Sequence, residues 1–147
     1  LSSTRVNLPA ALASIVALRT AINAAFRSPL PFLGAIAIAF DADPASIGWL
    51  GAAFSIAALT APFTGLIEAR LGRSGVIIVA IGLFAFACFA LPFAPTLTIA
   101  AVLFVLLGVA KALFEPQSIA FISEHVPFER RGAAVGIVEL AWALAWI

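Results

Sequence analysis

The chain has 147 residues, of which 64% are hydrophobic and only 10% charged, with eight basic and seven acidic side chains and a net charge of +1. Its mean hydropathy is +1.18, whereas soluble domains are near half apolar and a quarter charged, so a soluble fold is excluded. Residues 44–67 and 74–110 carry no charge, and because about 20 apolar residues cross a bilayer as a helix, the first run holds one span and the second two. The predicted fold class is all-α, a polytopic membrane helical bundle with the lipid bilayer as its surroundings.

In chain order, the first predicted helix covers about 8–40, interrupted by Arg19, Asn23 and Arg27 and running through Pro29 and Pro31 to Phe40. Its alanine-rich start has the length of a signal-peptide core, but the residues after it keep a helical pattern instead of a processing site. Asp41-Ala42-Asp43-Pro44 reads as a turn and a helix start, with Asp43 as N-cap and Pro44 at the first helical position. The second helix covers about 44–69. Arg70-Leu71-Gly72-Arg73-Ser74-Gly75 is a tight basic connection, and the third helix covers about 75–91. Pro92 and Pro95 remove donors and bias their predecessors away from helix. The fourth helix, with Pro116 as a kink, covers about 97–122. A polar connection at 123–132 leads into a fifth helix over about 128–147. With no methionine in the sequence and an apolar run at 142–147, residues 1–147 are expected to be one truncated domain, cut at one or both ends.

Alternating the ends of these spans between two sides places Arg5, Arg70, Arg73, Arg130 and Arg131 together and leaves only Asp41 and Asp43 opposite. The positive-inside rule then puts the N-terminus in the cytoplasm of a multi-pass plasma-membrane protein, the cytoplasmic membrane in a bacterium. Trp49, Trp142 and Trp146 fall near the outer ends of their spans, where aromatic belts sit.

Five ionisable residues remain inside the spans: Arg19, Arg27, Lys111, Glu115 and Glu139. Uncompensated, they would cost on the order of 12 to 17 kcal/mol on the insertion scale, so they must face protein, water or each other. Arg19, Asn23 and Arg27 recur every four residues on one helical face, and Lys111 and Glu115 are one turn apart. One reading is structural, with Lys111 and Glu115 paired and the arginines extended towards the headgroups. The other is a midplane polar cavity lined by the first, fourth and fifth spans, which is where secondary transporters bind. Asn23 and Glu139 cannot extend to the headgroups, which favours the cavity.

The 76–91 stretch is apolar throughout apart from Gly82 and Cys88, so it is expected to face lipid, with Cys88 as filler rather than a reactive thiol. His125 reads as a solvated loop residue. Gly132 and Gly136 form a small-xxx-small pair read as packing. No phosphate-cradling loop, paired metal-ligand histidines or cysteine pair occurs, so no enzyme, metal, cofactor or nucleic-acid partner is expected. Asn23-Ala24-Ala25-Phe26-Arg27 and Lys111-Ala112-Leu113-Phe114-Glu115 share a polar, alanine, apolar, phenylalanine, ion pattern. Chance in alanine-rich helices and a three-plus-three transporter repeat both account for it.

Gly65-Leu66-Ile67-Glu68-Ala69-Arg70-Leu71-Gly72-Arg73 resembles the signature loop of the major facilitator superfamily, with both glycines, Arg70 and Arg73 in register. The resemblance extends to Pro29-Leu30-Pro31-Phe32, Ile47-Gly48 and Pro127-Phe128-Glu129-Arg130-Arg131-Gly132. It implies the first five helices of an amino-terminal six-helix half, with the C-terminal half of the same chain as partner. It also implies alternating access about a site lined by helices one and four, in a secondary transporter of a small solute. Two positions depart from the family: Ala69 stands where aspartate is usual, so a gating ion pair there rests on Glu68. Phe104 stands where drug–proton antiporters often carry arginine. Under this resemblance Glu115, and second Glu139, are the protonation-linked carboxylates, and Arg19, Arg27 and Lys111 favour an organic anion or zwitterion. A scaffold or sensor without transport, and a half-size transporter that dimerises, are the competing expectations.

Overall fold

In the computed structural model residues 7–144 are described, the side chains of 44, 54, 55, 58 and 61 excepted; Arg5 and Trp146 lie outside the described residues. Asn7 starts the first helix, α1 (Leu8–Arg27), by accepting the Ala10 N–H on its Oδ1 at 3.3 Å. The helix stops at Arg27 because Pro29 disfavours helical backbone at Ser28. A 3₁₀ turn, Leu30–Phe32, carries the chain into α2 (Leu33–Ala39), so the continuous 8–40 helix expected from the sequence is two helices joined by a proline turn. α2 ends with Asp41 in the left-handed region, φ 47°. There the Ala42 N–H bonds the Ala37 carbonyl at 2.9 Å and the Asp41 N–H bonds Ile38 at 3.3 Å. This is a Schellman closure with aspartate where glycine is usual.

Asp43 caps the next helix, α3 (Pro44–Ala57), as its sequence predicts: its Oδ1 accepts the Ser46 N–H at 3.1 Å and also the Ser46 hydroxyl. Pro62 has no N–H to donate, and the chain tightens into a 3₁₀ segment, Ala58–Phe63. The predicted 44–69 helix is therefore broken in its second half. α4 (Thr64–Ala90) is interrupted at Gly72, whose φ 68° and ψ 164° lie outside helical space. The six-residue basic connection expected at 70–75 is thus a single-residue break between two helical arms. A second 3₁₀ turn, Leu91–Phe93, leads to Thr96, which caps α5 (Leu97–His125) by accepting the Ile99 N–H. α5 runs on through Pro116, three residues past the predicted end. α6 (Phe128–Leu144) comes directly after it, so the polar 123–132 stretch is helix on both sides of residues 126 and 127. Arg131 satisfies the Val126 carbonyl there with its Nε at 2.9 Å.

Among the described residues every regular element is helical. Three helical stretches are long and apolar enough to cross a membrane: Leu8–Ala39, Thr64–Phe93 and Leu97–His125. The other two predicted spans fall short for local reasons. α3 has 14 residues before the 3₁₀ segment, and α6 has 17 in its described part.

The chain divides into two compact units, residues 1–24 with 118–147 and residues 25–117. In the first, Ile122, Val126, Ala134 and Val138 form a core against Leu8, Leu12, Ile15 and Val16. The buried residues of α6, Ala134, Val138 and Ala141, repeat at helical spacing on one face. In the second, Leu50, Ala87, Phe104 and Leu107 form the core, with Phe26, Leu33 and Phe84 packed against them. α4 buries Val76, Ala80 and Ala87 on one stripe. Its Ile78, Val79, Phe86 and Phe89 are exposed, a surface suited to lipid. Small buried residues suit a helical assembly in lipid, where close backbone packing rather than hydrophobic exclusion joins helices.

The backbone makes two changes testable. A Cβ at Gly72 meets no atom within 4 Å, so Gly72→Ala strains the backbone alone and costs about 1–3 kcal/mol. Gly82→Ala, equally unobstructed but helical, stabilises by about 0.5–1 kcal/mol; unfolding in detergent separates the two. Asp43 titrates below the ordinary carboxylate value, first because of the Ser46 hydroxyl and then the Ser46 N–H. A depressed native pKa stabilises above the unfolded-state pKa and loses that contribution as pH falls through the native one. The melting-temperature advantage of the wild type over Asp43→Asn should therefore shrink between neutral pH and about pH 3; a constant difference would show that the charge plays no part in the cap.

Candidate functional site

The six predicted midplane residues fall into two sets, one in each unit. In the first unit, α1 buries Arg19, Ile22 and Asn23 on one stripe. Polar side chains therefore occupy positions that α6 fills with alanine and valine. Asn23 is 2% exposed. The Arg19 Nη1 lies 2.9 Å from the Glu139 Oε1 of α6, with the arginine side chain 7% exposed and the glutamate 50%. The cation is thus deeply enclosed while its carboxylate opens outwards. An arginine in hydrocarbon surroundings needs such a partner, since removing one member of a buried pair typically costs about 3–5 kcal/mol.

In the second unit, Lys111 and Glu115 of α5 are ion-paired one turn apart. The contact expected under the structural reading, Lys111 paired with Glu115, is therefore present. Its order, lysine before glutamate, is the weaker one for helix stability, so helix propensity does not account for it. The Lys111 Nζ also sits 5.7 Å from the centroid of the Phe26 ring, an attraction that strengthens when the ammonium is desolvated. Arg27, half-buried beside Phe26, belongs to this unit rather than to the set with Arg19 and Asn23.

The signature-loop residues divide as well. Gly65 and Arg70 are exposed, and Arg70 lines an open groove of about 610 Å³ with Phe63, Leu66, Ile67, Ala69 and Leu71. Glu68 and Arg73, on either side of the Gly72 break, are joined by Arg73 Nη2 donating to Glu68 Oε1 at 3.3 Å. Glu68, one position before the family's usual aspartate, thus reaches an arginine of the loop. Gln117 of α5 completes the group. It donates from Nε2 to Glu68 Oε2 at 3.1 Å and accepts from Arg73 Nε on Oε1 at 3.3 Å.

Sequence reasoning missed Gln117. Like Asn23, Gln117 is an amide in an apolar helix with no long stem to carry it to water, and that is the signal by which it can be found. Thr64 and Ser118 are further buried polar residues. Among the described residues no group of three or more His, Cys, Asp and Glu is placed to hold a metal ion. The arrangement is one deeply buried cation, Arg19, beside a half-exposed carboxylate, and a partly exposed lysine–glutamate pair in the other unit.

Residues 13–147 match the family described as Major Facilitator Superfamily. Over 105 residues the chain is 30% identical to a protein named Niacin transporter NiaP from Acinetobacter baylyi, an alignment covering 71% of this chain and 24% of the relative. Over 116 residues it is 26% identical to one named Putative niacin/nicotinamide transporter NiaP from Bacillus subtilis, covering 78% of this chain and 29% of the relative. The chain therefore spans about a quarter of the length of the curated relatives it matches. No solved structure is significantly similar to it. Because the family match runs through every described helix, and the glycines and arginines of the 65–73 loop stand where the signature has them, the chain belongs to the Major Facilitator Superfamily.

Proposed function

We infer that this chain is the first five helices of the amino-terminal half of a secondary transporter that moves a small carboxylate-bearing solute across the plasma membrane by alternating access. The observation that carries the reading is Arg19, enclosed within its unit, with Glu139, half-exposed, as its partner at 2.9 Å. A solute carboxylate is chemically equivalent to the Glu139 carboxylate and competes for the same guanidinium. When it displaces Glu139, that carboxylate is left without its cation, and it is the group we assign to a co-transported proton. Solute and proton then bind together.

Lys111 and Glu115 offer the same exchange in the other unit. Arg19, Arg27 and Lys111 against Glu115 and Glu139 leave one excess positive charge among these five groups, which supports an organic anion or zwitterion over a cation. The names of the two relatives support the same class, since niacin is a small aromatic carboxylic acid. The basic residues at 70–73 and 130–131 support a cytoplasmic N-terminus.

In proteoliposomes of the full-length protein, radiolabelled nicotinate is the first solute to test. Arg19→Ala should lower uptake by about 10- to 100-fold, the worth of a charge-assisted hydrogen-bond pair, while Arg19→Lys retains part of it. Unchanged uptake in Arg19→Ala would remove Arg19 from the solute site. Glu115→Gln should flatten the pH dependence of gradient-driven uptake. If rate and pH profile both match the wild type, Glu115 has no coupling role.

A further inference from the structure

The Glu68–Arg73 pair flanks the one position in α4 where the backbone leaves helical space, Gly72 at φ 68°. Nothing in the local chain dictates the angle between the two arms at such a break, because glycine adopts positive φ about as readily as negative. A contact from another element must set it.

The Gln117 amide makes that contact. It is 2% exposed, and its two ends face opposite charges: Nε2 towards the Glu68 carboxylate at 3.1 Å and Oε1 towards the Arg73 guanidinium at 3.3 Å. An amide does both, whereas a glutamate at this position would repel Glu68 and a lysine would repel Arg73. A leucine would leave both ions facing a surface that cannot hydrogen-bond. Gln117 also comes after Pro116, which cannot donate to the Ala112 carbonyl and so loosens α5 at this turn. On the other side of that proline stands Glu115, the partner of Lys111.

We propose that Gln117 is a positioning residue, its buried amide bracketing the Glu68–Arg73 ion pair and thereby fixing the turn at Gly72. Through Glu115-Pro116-Gln117 the same turn of α5 carries both the Lys111 partner and this bracket. A change at Glu115 therefore shifts the residue that holds the loop. The consequence for transport rests on the function proposed above; the bracket itself does not.

The test is hydrogen–deuterium exchange on the full-length protein in detergent, following the amides of residues 64–75 with those of 97–110 as internal reference. Gln117→Leu, which loses hydrogen bonds to two charged groups, and Gln117→Glu, which loses the one to Glu68 and sets two carboxylates together, should each speed exchange at 64–75 by about tenfold or more, with the reference unchanged. The exchange variant Glu68→Gln/Gln117→Glu keeps one carboxylate, one amide and the guanidinium in the group. It should return to within about threefold of wild type, as coupled sites do. Unchanged exchange at 64–75 in Gln117→Leu, or a double variant as fast as the faster single variant, would overturn the proposal. If Gln117→Leu loses protection throughout, Gln117→Glu and the double variant decide the matter.

Nicotinate uptake is the second readout. Gln117→Leu should lower the maximal rate several-fold while KM stays within about twofold, since the residue touches no solute. A wild type that moves no nicotinate overturns the substrate reading, while the exchange data still decide the bracket.

Discussion

The constraint on which the rest depends is the cost of charge in helices made to lie in hydrocarbon. On the insertion scale an arginine, lysine or aspartate at a helix centre costs about 2.5–3.5 kcal/mol, and this chain keeps arginine, lysine and glutamate deep in its apolar segments. Each described member of this set is held by protein. Arg19 reaches Glu139, and Lys111 reaches Glu115 and the face of Phe26. Replacing such pairs with packed apolar residues is often neutral or stabilising. Such pairs are therefore weak evidence for a net gain in stability.

Around these charges the packing is that of a helical membrane protein. Alanines fill the buried stripes of α4 and α6, where close backbone approach takes the place of hydrophobic exclusion. Large apolar side chains such as Ile78, Phe86 and Phe89 stand outwards. Breaks occur where a backbone donor is missing or glycine permits them: at Pro29 and Pro31, at Pro62, and at Gly72. A proline does not always break a helix, and α5 continues through Pro116 because only one carbonyl, that of Ala112, loses its donor there.

The two charge pairs differ in how they are held. Lys111 and Glu115 share one helix, so their meeting is a matter of 3.6-residue geometry. Arg19 and Glu139 come from helices at opposite ends of the chain, and their meeting depends on α1 and α6 packing through Leu12, Ile15 and Val138. The Glu68–Arg73–Gln117 group is intermediate. Its ion pair spans five positions across a glycine break, and its bracket comes from a distant helix.

The sequence by itself determined what depends on composition and short spacing. These are the all-α class, the Asp43 cap, the start of α6 at Phe128, the one-turn spacing of Lys111 and Glu115 and the likeness of the 65–73 loop to its family. Each arises from interactions reaching no more than about one helical turn, or from a spacing that one strand of text displays. Only the tertiary structure decided that Arg19 pairs with Glu139, that Arg27 belongs to a different unit from Arg19, and that a buried glutamine spans Glu68 and Arg73. It also decided that a single residue, Gly72, forms the break where a basic connection was expected. These rest on which helix faces meet, and in a chain so uniformly apolar the hydrophobic pattern leaves that choice open: almost every face of every helix is apolar enough to be buried or to meet lipid.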